Sequence, residues 1–546
     1  MNPLWRLWRF VQSEKSEIRN IYIFSIFQGL VNLSLPLGIQ AIINLLQSGE
    51  IRASWIVLIS FVLLGILFHG MLQMKQMSIM ESIEQRFFVR SSFDLAARIP
   101  HVRQESISEK YMPEMMNRFF EIMTIQKGIT KLVGDFSTAI IQIFFGMLLL
   151  GFYHPLFVLL GIALMLLLFL IFKFTGSAGL QSSIDESTHK FSVAHWLEEV
   201  SRTLNTFKLS GNSSLPLEET DKKTFKYLTA RQKHFKVLMM QYKTLIAFKL
   251  LVAGSLIIIG SILVIQGQIN IGQFVAAEII ILLVINSVEK IILNMSTVYD
   301  VLTALEKVGA ISDIPLERAG GKSIPMSNEH GLKIKVQNLT IQHHDSKKNI
   351  FEPLNFELLP GQKLCLTGPS GSGKTTLMRL ISGLYEKYQG TIVINDLPLI
   401  DLDLNQIRSA VGENYSGQEI FKSSILNNIT CGVAGVGVEQ AIEASRRVGL
   451  DDYIQSLERG YETILDPEGK RLASSVARKI ILARAIVGKP RLLLLEDFES
   501  GLVNSDRIHF TNYLFEDCKN VTSIIISNDP EVQRRCDLTI YMEPSN

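Results

Sequence analysis

Over its first 300 residues or so the chain alternates between long apolar runs and long charged stretches that keep a helical period. Six runs are apolar for about the 20 residues that cross a bilayer, at roughly 21–46, 54–74, 135–153, 155–174, 244–266 and 270–295. Pro36 interrupts the first and His69 the second. The connections near Gly49, His154 and Gln268 are short and nearly uncharged, whereas 75–134 and 175–243 are long and rich in Lys, Arg and Glu. Because these two stretches stay helical in period, they are predicted to be membrane helices that run on past the bilayer. They are predicted to turn back near 101–112 and 206–219, where Pro100-His101 and Gly211-Asn212-Ser213-Ser214 with Pro216 signal turns.

Charge assigns the sides. Positive residues mark cytosolic loops; Arg86, Arg90, Arg98, Arg103 and Lys110 place the first long stretch there, and Lys208, Lys222, Lys223 and Lys226 the second. Both chain ends and the C-terminal domain of this multi-pass membrane protein are then expected in the cytosol. Met1–Lys15 sets Trp5, Trp8 and Phe10 against Arg6 and Arg9 with no small-residue cleavage site, so it reads as a short interfacial helix, not a signal peptide. Polar groups inside membrane runs mark pathways. Glu278 is the first candidate to face a cavity, with pairing to a neighbouring helix as its alternative, and Gln142 and His69 follow. Lys249 is expected to snorkel to the cytosolic interface.

From about Leu302 the pattern changes. Ala319-Gly320-Gly321 and Pro325 read as a polar linker, and a soluble α/β pattern starts near Leu332. The expected division is 1–305 membrane domain, 306–331 linker and 332–546 soluble domain. A hydrophobic share of 47% fits a membrane part joined to a substantial soluble part. A net charge of +2 gives no reason to expect nucleic acid as a partner. Cys365, Cys431, Cys518 and Cys536 all lie in the last third without CxxC spacing, so free thiols in a reducing compartment are expected, not a metal site.

The soluble part carries one specific chemical signal. Gly368-Pro369-Ser370-Gly371-Ser372-Gly373-Lys374-Thr375, followed by Thr376, fits GxxxxGK[ST]. Lys363–Thr367 before it reads as a buried strand. Leu377, Leu380, Ile381 and Leu384 after it fall on one face of a helix. In that context glycines let backbone N–H groups close around phosphates, with the helix N-terminus adding partial positive charge. Lys374 would reach the β- and γ-phosphates of a nucleoside triphosphate, and the Thr375 hydroxyl would hold Mg²⁺.

With that loop placed, the soluble domain resembles the ATP-binding-cassette (ABC) ATPases, and the six-run half before it resembles the exporter branch of that family. The block Leu472–Lys479, Ile480–Ile486, Gly488-Lys489-Pro490 and Arg491–Asp497 follows the family's LSGGQ, ARA helix, proline, apolar strand and Asp-Glu. The resemblance implies an all-α six-helix transmembrane domain followed by an α/β P-loop NTPase (ABC ATPase) domain, with ATP and Mg²⁺ as cofactors. It also implies a homodimer, or a heterodimer with a related half. The turns near 101–112 and 206–219 would be the coupling helices. More loosely, the membrane half resembles the type I secretion and peptide-export branch, where a periplasmic adaptor is a further partner. No protease-like segment precedes the first run, so cargo processing is not expected.

The chain departs from the family pattern at several positions. Ala473-Ser474-Ser475-Val476 stands where SGGQ, which caps the partner subunit's γ-phosphate, is expected, and a Cβ at a glycine position hinders close backbone approach. Glu496-Asp497 inverts Asp-Glu, so Glu496 would orient the Mg²⁺ shell and Asp497 would polarise the attacking water. Asn528 stands for the switch histidine, Ser500-Gly501-Leu502-Val503 for the SALD loop, His343 for the adenine-stacking aromatic, and Ser416 for the glutamine-loop residue, with Gln418 as alternative. The expectation is an ATP-binding half of an exporter with slow hydrolysis. The rival reading is a non-hydrolysing regulatory or scaffold subunit beside an intact half.

Overall fold

The computed structural model describes residues 3–47, 53–107, 111–325, 330–342, 348–415, 417 and 419–544. The chain divides into two compact units, Met1–Val102 with Ile107–Pro315, and Arg103–Ser106 with Leu316–Asn546.

The first unit is helical: α1 Pro3–Ser13, α2 Lys15–Asn32, α3 Ser34–Gln47, α4 Ala53–Arg98, α5 Met112–Asn117, α6 Glu121–Tyr153, α7 Pro155–Arg202, α8 Leu204–Leu209, α9 Leu215–Ile265, α10 Ile271–Leu293 and α11 Met295–Ser312. The first apolar run is thus two helices broken at Leu33. Pro36 has no N–H to give to a carbonyl one turn earlier, and the break falls within that turn. Among the described residues, five helical stretches are long and apolar enough to cross a membrane: Lys15–Gln47, Trp55–His101, Met112–Tyr153, Leu215–Ile265 and Ile271–Ser312. The remaining apolar run, 155–174, lies in α7. Helix α11 ends at Ser312 and this unit at Pro315, inside the stretch read as linker.

Local chemistry sets the helix ends. Pro155 at the first turn of α7 follows His154, whose Nδ1 accepts from the Leu156 N–H at 3.3 Å. Asn270 and Gln273 form a reciprocal capping box at α10, with bonds of 2.7 and 2.9 Å. Ala276, Ala277, Ile280, Val284 and Val288 bury one face of that helix. Lys249 Nζ pairs with Glu289 Oε2 at 2.6 Å across α9 and α10. In α1, Trp5 and Trp8 are exposed, but Arg6 turns inward to the Leu305 carbonyl at 2.9 Å and to Asp313.

The second unit contains β1 Ile334–Thr340, β2 Leu354–Leu358, β3 Lys363–Thr367, α12 Lys374–Ile381, β4 Gln389–Ile394, β5 Leu397–Pro398, α13 Leu404–Ala410, β6 Val411–Asn414, α14 Ile425–Thr430, α15 Val438–Arg447, α16 Asp451–Gln455, α17 Ser474–Val487, β7 Leu492–Glu496, α18 Asn504–Asn512, β8 Thr522–Ile526, α19 Pro530–Arg535 and β9 Leu538–Tyr541. A parallel sheet runs β6-β7-β8-β3-β9, beside an antiparallel sheet β2-β1-β4-β5. Strands β3, β7 and β8 are buried along their whole length, as central strands of a covered parallel sheet must be. Their pairing, Leu364 with Ile524 and Leu494 with Ile524, brings the C-terminal ends of β3, β7 and β8 to one edge. Open α/β sheets bind ligands at that edge. Within this unit Arg103 pairs with Glu386 at 3.1 Å, and Glu105 accepts the Glu386 N–H at 2.6 Å.

Candidate functional site

Strand β3 ends at Thr367, and the loop Gly368–Gly373 leads into α12 at Lys374. Gly368, Gly371 and Gly373 have φ of 134°, 84° and 87°, a region that glycine enters without strain. A Cβ at Gly368 would lie 2.2 Å from the Met542 carbonyl oxygen, and one at Gly373 2.7 Å from Phe351 Cδ1. Packing therefore requires glycine at both. Gly371 has open space around it, while Ser372 is buried and Pro369 and Ser370 are exposed. Lys374 folds over the loop, donating to the carbonyls of Gly368 at 2.8 Å and Pro369 at 2.7 Å and to Ser372 Oγ at 3.3 Å. An ammonium held by neutral acceptors above a glycine loop can exchange them for anionic oxygens. Thr376 follows, half-buried, in the first turn of α12.

The adjacent strands supply carboxylates. Glu496, buried at the end of β7, accepts a hydrogen bond from the Thr375 hydroxyl. A hydroxyl and a carboxylate in contact are the oxygen donors a hard divalent cation takes, so these residues fit Mg²⁺ and would hold it. Asp497 follows in a left-handed conformation, φ 42°, its N–H donating to the Ile526 carbonyl at 2.9 Å. Burial, and then the neighbouring Glu496 charge, push its carboxyl above the usual range, with Lys374 and Arg478 pulling it back.

The structure therefore gathers Gly368–Thr376, Glu496 and Asp497 at the end of β3 and β7. Asn528 sits exposed just past β8. Ala473 is the N-cap of α17 and offers no side-chain bond to it, with Ser474 exposed and Ser475 half-buried beyond. Ser474 shares a cleft with Glu468, Arg478 and Ser500. His343, Ser416 and Gln418 lie outside the described residues. All four cysteines are free thiols, with Cys365 and Cys518 buried.

Two residues the sequence reading passed over belong to this region. Glu499, two residues past Asp497, takes a hydrogen bond from the hydroxyl of Ser527, the residue before Asn528, and its other oxygen is buried without a partner. Arg478 reaches from α17 to the Ser500 carbonyl at 3.3 Å and Asn414 Oδ1 at 3.4 Å. The only sequence signal for Glu499 was a carboxylate two residues beyond an acidic pair. Arg478 carried none.

Comparison with known proteins agrees with this geometry on both units. The family model for the ABC transporter matches residues 351–498, and that for the ABC transporter transmembrane region matches 18–288. The chain belongs to the ABC transporter family. The membrane region and the ABC ATPase domain of this ABC transporter are fused on one polypeptide. Among relatives, the alpha-hemolysin translocation ATP-binding protein HlyB of Escherichia coli O157:H7 is 26% identical over 435 residues, 79% of this chain and 61% of that protein. The ATP-dependent lipid A-core flippase of Burkholderia orbicola is 27% identical over 278 residues, 50% of this chain and 46% of that protein. The chain spans 61% of the first of these and 39% of a second HlyB relative. Among solved structures, a bacterial Atm1-family ABC exporter with ATP bound superposes with a TM-score of 0.82 at 17% identity, covering 97% of this chain and 94% of that one. That likeness speaks for the fold.

Proposed function

We propose that this ABC transporter chain is the ATP-binding half of an exporter. It would bind ATP with Mg²⁺ at Gly368–Thr376 and Glu496, dimerise with a second copy or a related half, and hydrolyse slowly while moving a substrate out across a bacterial inner membrane. The observation that carries this is the complete phosphate loop joined through Thr375 to Glu496, on the same chain as a membrane region. When bound, Mg²⁺ supplies charge neutralisation on the phosphate oxygens. Lys374 would hold the β- and γ-phosphates, and Asp497 would orient the attacking water.

Slowness follows from side-chain reach. Glu496 is one methylene longer than the family's aspartate and Asp497 one shorter than its glutamate, and a misplacement of about 1 Å can cost roughly a hundredfold in rate. Asn528 cannot take up a proton as a histidine would. Ala473–Ser475 lack the glycines with which the family caps a partner's γ-phosphate. ATP binding, more than hydrolysis, then supplies the conformational work. A periplasmic adaptor would complete the assembly if the chain works as a secretion exporter, as the likeness to HlyB suggests.

The altered positions also favour a second reading, a regulatory subunit that binds ATP beside a catalytically intact half. Phosphate release from Mg-ATP by the chain alone in lipid nanodiscs, beside Lys374→Ala, separates them. Turnover that vanishes in the variant supports the exporter half. ATP binding without turnover supports the subunit.

A further inference from the structure

Three helices of the first unit carry polar residues at helical spacing, partly inside apolar runs and partly in the charged stretch 75–134. On α6 the row is Lys127, Lys131, Asp135, Thr138 and Gln142. On α4 it includes His69, Gln73, Gln76 and Glu84. On α2 it is Gln28 and Asn32. Spacings of three and four residues put each row on one face. In the fold these faces meet, joined by Lys290 of α10, around a cavity of about 390 Å³. That volume lies within the roughly 300–1,000 Å³ of small-ligand pockets. Gln28, His69 and Gln142 of this wall lie inside apolar runs, where polar groups mark a pathway or a site.

The charges in the cavity are not balanced pairwise. Asp135 is occupied, by Lys290 at 2.9 Å and by Asn294 at 2.9 Å. Glu84 accepts the Thr130 hydroxyl at 2.5 Å. Lys127 and Lys131, one turn apart on α6, have no ion-pair or hydrogen-bond partner among the described residues. Two neutral groups are also unpaired. Gln28 is 2% exposed and its amide nitrogen has no partner, and His69 Nδ1 is buried without one. A buried amide N–H left without an acceptor is rare in native proteins. Three ammoniums (Lys127, Lys131 and Lys290) against two carboxylates (Glu84 and Asp135) leave the wall a net charge of +1, with Lys127 and Lys131 exposed to solvent and the Gln28 amide a buried free donor.

We propose that this cavity binds a small organic anion with two or more carboxylates, held by Lys127 and Lys131 as charge partners and by the Gln28 amide as a fixed donor. As a substrate site it rests on the exporter reading. As a binding site it does not, because binding needs no nucleotide. Glu278 takes no part: it lies exposed on α10 and does not line the cavity.

The test uses the full chain carrying Lys374→Ala, which disables the phosphate loop as a competing anion site, in lipid nanodiscs without nucleotide. Retention of radiolabelled citrate is followed by scintillation proximity. Saturable retention is expected, displaced by unlabelled citrate but not by equimolar spermidine or inorganic phosphate. Lys127→Gln with Lys131→Gln should lower it about tenfold or more, Gln28→Leu about threefold or more, and Lys131→Arg should leave it nearly unchanged. Retention that fails to saturate, or that survives the double substitution, overturns the site. Displacement by equimolar phosphate overturns the carboxylate class. Since ATP turnover by the unmutated chain is measured separately, either reading can fail without the other.

Discussion

The loop after β3 and the opposed pair of segments, the start of α17 and the end of β7, are built to the same standard of packing and differ in chemistry. Around the loop, backbone and side chains agree: glycines sit where a Cβ would strike the Met542 carbonyl or Phe351, Lys374 folds back over the loop and Thr375 meets Glu496. Around β7 and α17 the frame is equally tight. A Cβ at Gly412 of β6 would fall 1.9 Å from the Ala485 carbonyl of α17, and all of β7 is buried. Yet at the edge of that frame Ala473 and Asn528 stand where the resemblance expects a serine and a histidine, and Asp497 carries its carboxylate one methylene short of the expected glutamate. Core packing constrains shape and volume; it does not constrain which polar atom an edge residue offers. A fold can therefore persist whole while its reactive positions change.

The largest effect should come at the loop. Lys374→Ala removes the only ammonium seen folded over it among the described residues, and charge-assisted contacts to phosphate are among the strongest available. Phosphate release should fall by about a hundredfold or more, with a parallel loss of binding to a fluorescent ATP analogue. If ATP binding persists unchanged, the loop is not the nucleotide site and the contrast between the two regions collapses.

The second effect should run the other way. Exchanging the acidic pair, Glu496→Asp with Asp497→Glu, restores the family's reach at both carbons. It should raise single-turnover hydrolysis by about tenfold to a hundredfold, on the same 1 Å argument. A drop instead would mean that the left-handed backbone at Asp497 has adapted the site to the inverted pair. The inverted reading of these residues would then be wrong in its consequence.

How far the sequence told this story differs by region for a physical reason. The loop, the flanking strand and the soluble α/β pattern were legible because each is a local spacing. The two turns near 101–112 and 206–219 were legible for the same reason. The break at Leu33 was half legible: Pro36 marked it, but not that α2 and α3 would be separate helices. The Lys249–Glu289 pair was hidden, since it joins residues far apart in sequence. The converging polar rows lay in plain view at helical spacing. His69 and Gln142 were already pathway candidates, but that their helices bring them to one cavity depends on packing that spacing does not show. Glu499 and its Ser527 partner could not be found at all, because their contact depends on how β7 and β8 align.

A smaller effect is expected at α17. Ala473→Ser places a hydroxyl at an N-cap that now has none, and such caps contribute about 1 kcal/mol. Hydrogen exchange of the first-turn amides, 474–477, should slow about fivefold in the full chain in nanodiscs, with little change at β7. If protection rises equally across both, the substitution has acted on the whole unit and the helix start was not its weak point.

The smallest effect, and the most diagnostic of the buried carboxyl, is a pH dependence. Burial pushes Glu499 above the ordinary carboxylate range, and the Ser527 hydroxyl pulls it partly back. A carboxyl with a raised pKa in the folded chain binds its proton more firmly there than when unfolded. The folded state is therefore penalised progressively as pH rises from the ordinary carboxylate value through the raised one. Ser527→Ala removes a bond that favours the charged form, so it should deepen that penalty. The variant's deficit in protection at 492–500 should then be small near pH 4.5 and larger at pH 7.5, by about 1 kcal/mol. Exchange rates corrected for their intrinsic pH dependence would show it. A deficit that shrinks as pH rises would mean that Ser527 serves the protonated carboxyl. Glu499 would then stand neutral beside Asn528, able to give a proton at the one position near the site where the family's histidine is missing.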